Sequence, residues 1–131
     1  MSQAICAIQA PNGNILVSDE LLDRVIEITP AGTLVRIVMT AKDGLDGPFG
    51  IAVREGSLYA CSPSQQKIWK VELASRSVSV WWDATGIASP RDSVFRDNDA
   101  IVTESDGDDL ERVSLAGQWL GTWVDSDGVT A

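Results

Sequence analysis

The 131-residue sequence contains no histidine. That absence removes histidine general bases, serine–histidine triads, histidine metal ligands and histidine-ligated haem from consideration. Cysteine is nearly as scarce: Cys6 and Cys61 stand alone and far apart. Structural zinc takes four cysteine or histidine ligands, so two buried, reduced thiols are expected instead. No apolar run approaches the roughly 20 residues of a membrane-crossing helix. Met1-Ser2-Gln3-Ala4 has neither the basic start nor the apolar stretch of a secretion signal, so a cytoplasmic address is the default expectation. Glycine-rich phosphate loops, a nucleophile elbow and paired carboxylates at a diagnostic spacing are also missing, and no catalytic residue is assigned.

Positive charge is the remaining shortage. Ten Lys and Arg face nineteen Asp and Glu, for a net charge of −9. Residues 1–91 hold eight basic and nine acidic side chains, whereas residues 92–131 hold two basic and ten acidic ones. Such a surface repels phosphate, so neither nucleic acid nor an anionic membrane is an expected partner.

What the chain does contain is a repeat. Ile8 to Asp19, IQAPNGNILVSD, shifted by 43 residues meets Ile51 to Ser62, IAVREGSLYACS. The register continues with Arg24 over Lys67, Val25 over Ile68 and Ile28 over Val71. A third copy follows at a shift of 42, placing Pro90 on Pro48, Phe95 on Val53, Val113 on Val71 and Leu115 on Leu73. A fixed period of this size marks a repeat architecture.

Each copy alternates short β-rich runs with turn signals. The first predicts strands over Ile5–Ala10, Ile15–Ser18, Arg24–Thr29 and Leu34–Met39, broken at Pro11-Asn12-Gly13-Asn14 and Pro30-Ala31-Gly32. The second predicts Gly50–Arg54, Leu58–Cys61, Lys67–Leu73 and Val78–Trp82; the third predicts Asp92–Phe95, Ala100–Thr103, Leu110–Leu115 and Trp119–Val124. Four short antiparallel strands in some 40 residues form a propeller blade. The expected fold is all-β, with blades over about residues 4–42, 47–85 and 90–125.

Pro48-Phe49-Gly50-Ile51-Ala52-Val53 resembles the opening of an NHL repeat. Asn14-Ile15-Leu16-Val17-Ser18-Asp19 with Asp23-Arg24-Val25 is similar to that family's second strand, acidic turn and arginine-led third strand. Blade one has Ile5-Cys6-Ala7 where the opening would stand, and blade three has Asp92 in place of the glycine. Propellers of the senescence-marker and lactonase type are the alternative resemblance.

A blade has two apolar faces, each needing a neighbour, and closed rings have about four to eight blades. Two copies of three blades make six. The expected partner is therefore a second copy of the chain, joined in a two-fold homodimer across two identical seams. Together the seams would bury on the order of 2,000 Å² or more. Residues 125–131 read as a linker, and a three-blade half of a longer chain is the competing expectation.

The resemblance puts the functional surface where the inner strands begin, lined by the connectors between blades and the loops joining second to third strands. Asp19, Asp23, Asp46, Arg91 and Asp92 are the candidate ligand-binding residues there. Asp92 would face the channel near Arg91, either as a ligand group or general base, or in an ion pair with a neighbouring arginine. Glu104-Ser105-Asp106-Gly107-Asp108-Asp109 and Asp125-Ser126-Asp127-Gly128 alternate acids with glycine, so Asp106 and Asp108 are candidate calcium ligands. Neither segment completes a calcium loop, and no other cofactor is expected. Trp81 and Trp123 align with Val38 as a repeated packing position, and alternation would put Trp82 on the opposite face. The expected function is a non-catalytic scaffold binding a protein or small ligand at this loop face. The alternative is a calcium-dependent lyase or lactonase-like hydrolase with carboxylates at the dimer centre, although the propeller lyases it would resemble rely on histidine.

Overall fold

The computed structural model describes residues 2–105 and 109–124. Their strands fall into three antiparallel sheets, each a meander of four. Blade one holds β1 (Ala4–Gln9), β2 (Ile15–Asp19), β3 (Arg24–Ile28) and β4 (Leu34–Met39). Blade two holds β5 (Ile51–Arg54), β6 (Ser57–Ser62), β7 (Lys67–Glu72) and β8 (Val78–Asp83). Blade three holds β9 (Pro90–Phe95), β10 (Asp99–Glu104), β11 (Leu110–Ser114) and β12 (Trp119–Val124). These are the expected strands with ends moved by one or two residues, and the chain is all-β with propeller blades. The sole helical element among the described residues is a 3-10 turn at Ala41–Asp43, capped by the Thr40 hydroxyl. No helix is long and apolar enough to cross a membrane.

The first strands β1, β5 and β9 lie side by side, so the blades fan outward from them. Between blades one and two lies an aliphatic core including Leu16, Val25, Met39, Leu58 and Val71. Between blades two and three lies a second core, with Cys61, Ile68, Trp82, Val102 and Val113. Here Tyr59 meets Trp81 edge-on at 5.2 Å, and Phe95 sits 4.5 and 5.3 Å from the two rings. Cys61 is buried as expected, while Cys6 is half-buried beside the first core.

Two sequence expectations are corrected by register. Ile8 does not match Ile51, because Ala7 pairs with Val17 whereas Ile51 pairs with Ala60, the repeat counterpart of Val17. The cause is turn length. Blade two closes its first hairpin at Arg54–Ser57 around Glu55 and Gly56, both at positive φ, the two-residue turn suited to strand twist. Blade one spans five residues between Gln9 and Ile15. One extra residue puts each β1 side chain on the opposite face from its counterpart 43 residues on, so Ile8 and Ile51 meet across the same seam rather than repeating each other.

The second correction concerns the tryptophan pair. Trp82 pairs with Ile68, but Trp69 pairs with Val80, leaving Trp81 as the extra residue of a β-bulge. Alternation breaks there, and both Trp81 and Trp82 pack against the second core. The same bulge recurs in each outermost strand. Val25 and Ile26 pair with Met39 and Ile37 around Val38, and Leu110 and Glu111 pair with Val124 and Thr122 around Trp123. The Val38–Trp81–Trp123 row is therefore a repeated bulge.

Candidate functional site at the mouth of the inner strands

The backbone at the start of the inner strands is tied before any side chain is added. Gly50 donates its N–H to the Arg91 carbonyl at 2.8 Å, and Phe49 donates to Cys61 at 2.8 Å. The Ser18 hydroxyl donates to the Phe49 carbonyl at 2.6 Å and accepts from the Cys6 amide, joining blade one to the same point. Glycine is needed at position 50, because a Cβ there would lie 2.2 Å from the Asp92 carboxylate and 2.7 Å from the Arg91 carbonyl. The space left by that missing side chain is where Asp92 sits.

Around this knot lies an open cavity of about 370 Å³ lined by Ile5, Cys6, Phe49, Arg91, Asp92 and Thr103, with Gly50 at its floor. The Arg91 guanidinium lies 5.1 Å from the centre of the Phe49 ring, a cation over an aromatic face. Asp92 accepts from the Ser93 amide at 2.8 Å and forms no ion pair among the described residues. The expected ion pair between Asp92 and a neighbouring arginine is thus corrected: the nearest, Arg91, lies over the Phe49 ring. Cys61, beneath Asp92, has its thiol pushed far up by burial and then by the Asp92 charge, so it stays protonated.

Asp23 and Asp46 belong to a neighbouring cavity of about 350 Å³, shared with Glu20, Leu21, Phe49 and Ser64. Asp23 accepts from the Gly47 amide at 2.8 Å, and Asp46 accepts from the Ser64 hydroxyl at 3.2 Å. Phe49 forms a wall of both cavities. Asp19 is in neither. It is fully buried, and its oxygens accept from the amides of Ser2, Gln3 and Leu22. Burial opposes its charge, but these three amides and Arg24 outweigh it and hold the carboxyl below the ordinary range. Asp19 therefore fastens the chain start to β2 rather than facing solvent.

Asp106 and Asp108 lie outside the described residues, as does the 125–131 segment. Beside them, carboxylate oxygens of Glu104, Asp109 and Glu111 come within 4.8 Å of one another. Glu111 is already engaged by the Trp119 indole at 2.8 Å and the Thr122 hydroxyl at 3.1 Å. Glu104 and Asp109 were legible as loop acids; Glu111, inside a strand, was not.

The strongest ionic arrangement lies elsewhere. Arg96 bonds Asp99 at 2.6 and 2.7 Å, and Arg112 bonds the same carboxylate at 2.5 Å. The Arg96 and Arg112 bonds hold the buried Asp99 carboxyl well below the usual range. Arg96 also lies 4.9 Å from the Trp123 ring. No sequence signal marked this clamp, because its members are ordinary in type and meet only because β10 pairs with both β9 and β11.

The class these observations define is a β-propeller built of at least three blades. No protein-family model matches the chain, and no curated protein matches it in sequence. Solved structures do match. A catalytically inactive virginiamycin B lyase from Staphylococcus aureus, in complex with quinupristin, superposes with a TM-score of 0.76 at 14% identity, over 98% of this chain and 44% of that one. A second virginiamycin B lyase structure from that organism gives 0.74 at 15% identity, over 90% of this chain and 40% of that one. A streptogramin B lyase gives 0.70 at 16%, over 88% and 39%. The chain thus spans less than half the length of the structures it resembles, and the likeness is one of fold.

Proposed function

We propose that the chain is a non-catalytic binding scaffold, taking a small ligand or a peptide group at the mouth of its inner strands. One observation carries this reading: the 370 Å³ cavity presents Arg91 stacked on Phe49 beside Asp92, with Ile5 as an apolar wall. An aromatic face with a cation over it suits a ligand that brings a flat apolar group and an anionic group.

Benzoate is a suitable probe. Titrated into labelled protein, it is expected to shift the NMR signals of Phe49, Arg91 and Thr103, and to lose at least tenfold in affinity when Arg91→Ala is made. Shifts elsewhere, or shifts indifferent to that substitution, would contradict the mouth as the binding surface.

The fold neighbours favour a second reading, since they are lyases. That enzyme was inactivated by a single histidine-to-alanine replacement, and this chain has no histidine to supply the equivalent group. Quinupristin incubated with the chain and calcium is expected to be recovered intact. A new product would favour the catalytic reading.

A further inference from the structure

Each internal seam is closed by the same device. The bulge residue of an outermost strand points into the next blade: Val38 is buried in the first core, and Trp81 packs on the second. A donor from that strand then reaches a carbonyl just past the third strand of the next blade. Arg36 donates to Leu73 at 2.7 Å, and the Trp81 indole N–H donates to Leu115 at 3.1 Å. Leu73 and Leu115 occupy one repeat position, and Gly117 beside it is pressed against Trp81, where a Cβ would lie 2.0 Å from the Trp81 carbonyl.

Both ends of the chain carry halves of this device. On blade three, Trp123 is the bulge residue. It lines a groove of about 300 Å³ with Val94 and Ile101, rimmed by Asp92, Ser93, Arg96 and Thr103, and its indole N–H has no acceptor among the described residues. On blade one, Pro30 occupies the Leu73–Leu115 position with a carbonyl that accepts no hydrogen bond among the described residues, and Gly32, the counterpart of Gly117, has open space where Gly117 has Trp81. The outward face of blade one is apolar: Ala7, Val17, Ile26 and Ile37 form one cross-strand row, in which Ala7 is exposed, Ile37 half-buried, and Val17 and Ile26 already buried by their neighbours in the single chain. Leu34, beside them, is 54% exposed.

We propose that a second copy of this chain docks blade one onto blade three, with Trp123 donating to Pro30 of the partner subunit as Trp81 donates to Leu115. The unlike faces continue the interface already built twice within the chain, and two-fold symmetry repeats the seam to close the ring. The second copy completes the mouth without depending on its ligand, so Arg91→Ala leaves the assembly unchanged.

Charge exchange tests the pairing. Val94 is 64% exposed and Ala7 is also exposed, so substitutions there spare the fold of a single chain. By the repeat register, Val94 meets Ala7 of the partner subunit, as Ile8 meets Ile51. Val94→Lys alone and Ala7→Glu alone each place charges in both seams, and each is expected to sediment as one chain of 14.0 kDa. Mixed, they are expected to recover twice that mass at equal stoichiometry, since one seam gains a Lys–Glu pair and the other is native. A monomeric unsubstituted chain, a dimer of either variant alone, or a mixture that stays monomeric would each overturn the proposal. Slow hydrogen exchange at the Trp123 indole in the unsubstituted dimer is a second expected result, and fast exchange there would contradict the seam.

Discussion

The two internal seams use one backbone plan and two chemistries. The first is aliphatic, with Leu16, Val25, Met39, Leu58 and Val71, and the bulge places a valine in it. The second gathers Tyr59, Trp81, Trp82 and Phe95, and the same bulge places a tryptophan. The difference teaches that bulge and strand register, rather than residue type, define the seam. Both seams carry a donor to the next blade, Arg36 to Leu73 in the first and Trp81 to Leu115 in the second, and the aromatic seam adds ring geometry.

The largest expected effect lies in the aliphatic seam. Leu58 is fully buried, so Leu58→Ala should leave a cavity costing about 3 kcal/mol in a denaturant titration. Phe95→Ala, at a half-buried position, is expected to cost about 2 kcal/mol. A reversed order would show that the rings carry more of the assembly than the aliphatic core.

Blade three sharpens the contrast further, because an ionic clamp holds its strands. Asp99→Asn should lower the melting midpoint by roughly 6 °C, a modest loss because Arg96 and Arg112 are half-exposed and can turn to water. The folded carboxyl titrates below its ordinary value of 3.8. The stability it contributes is therefore in place above about pH 4 and is lost as the pH falls further. Melting curves at descending pH should show less acid sensitivity in Asp99→Asn than in the unsubstituted chain; equal sensitivity would remove the clamp from the account. The smallest effect is expected for Trp81→Phe, which keeps a ring but loses the bond to Leu115, at about 1 kcal/mol.

The blades were legible because their signal is periodic. Valine- and isoleucine-rich runs, glycine turns and a shift near 43 residues placed every strand to within two residues. What the sequence concealed depends on single residues. The extra residue between Gln9 and Ile15 reverses the face of Ile8, and the bulge around Trp81 overrides the alternation that would have separated it from Trp82. The mouth was half legible. Arg91 and Asp92 were marked by their place at an inner strand, but the partner of Arg91 is a ring rather than a carboxylate. Asp19 was marked by its acidic turn, and only the position of the chain start shows that its carboxylate is consumed by Ser2 and Gln3.

Sedimentation equilibrium on the unsubstituted chain tests the central claim most directly, which is that the apolar outer faces of blades one and three pair with each other. A mass of twice 14.0 kDa, holding on dilution into the micromolar range, is the predicted result. A single-chain mass at every concentration, with the protein still folded, would contradict it.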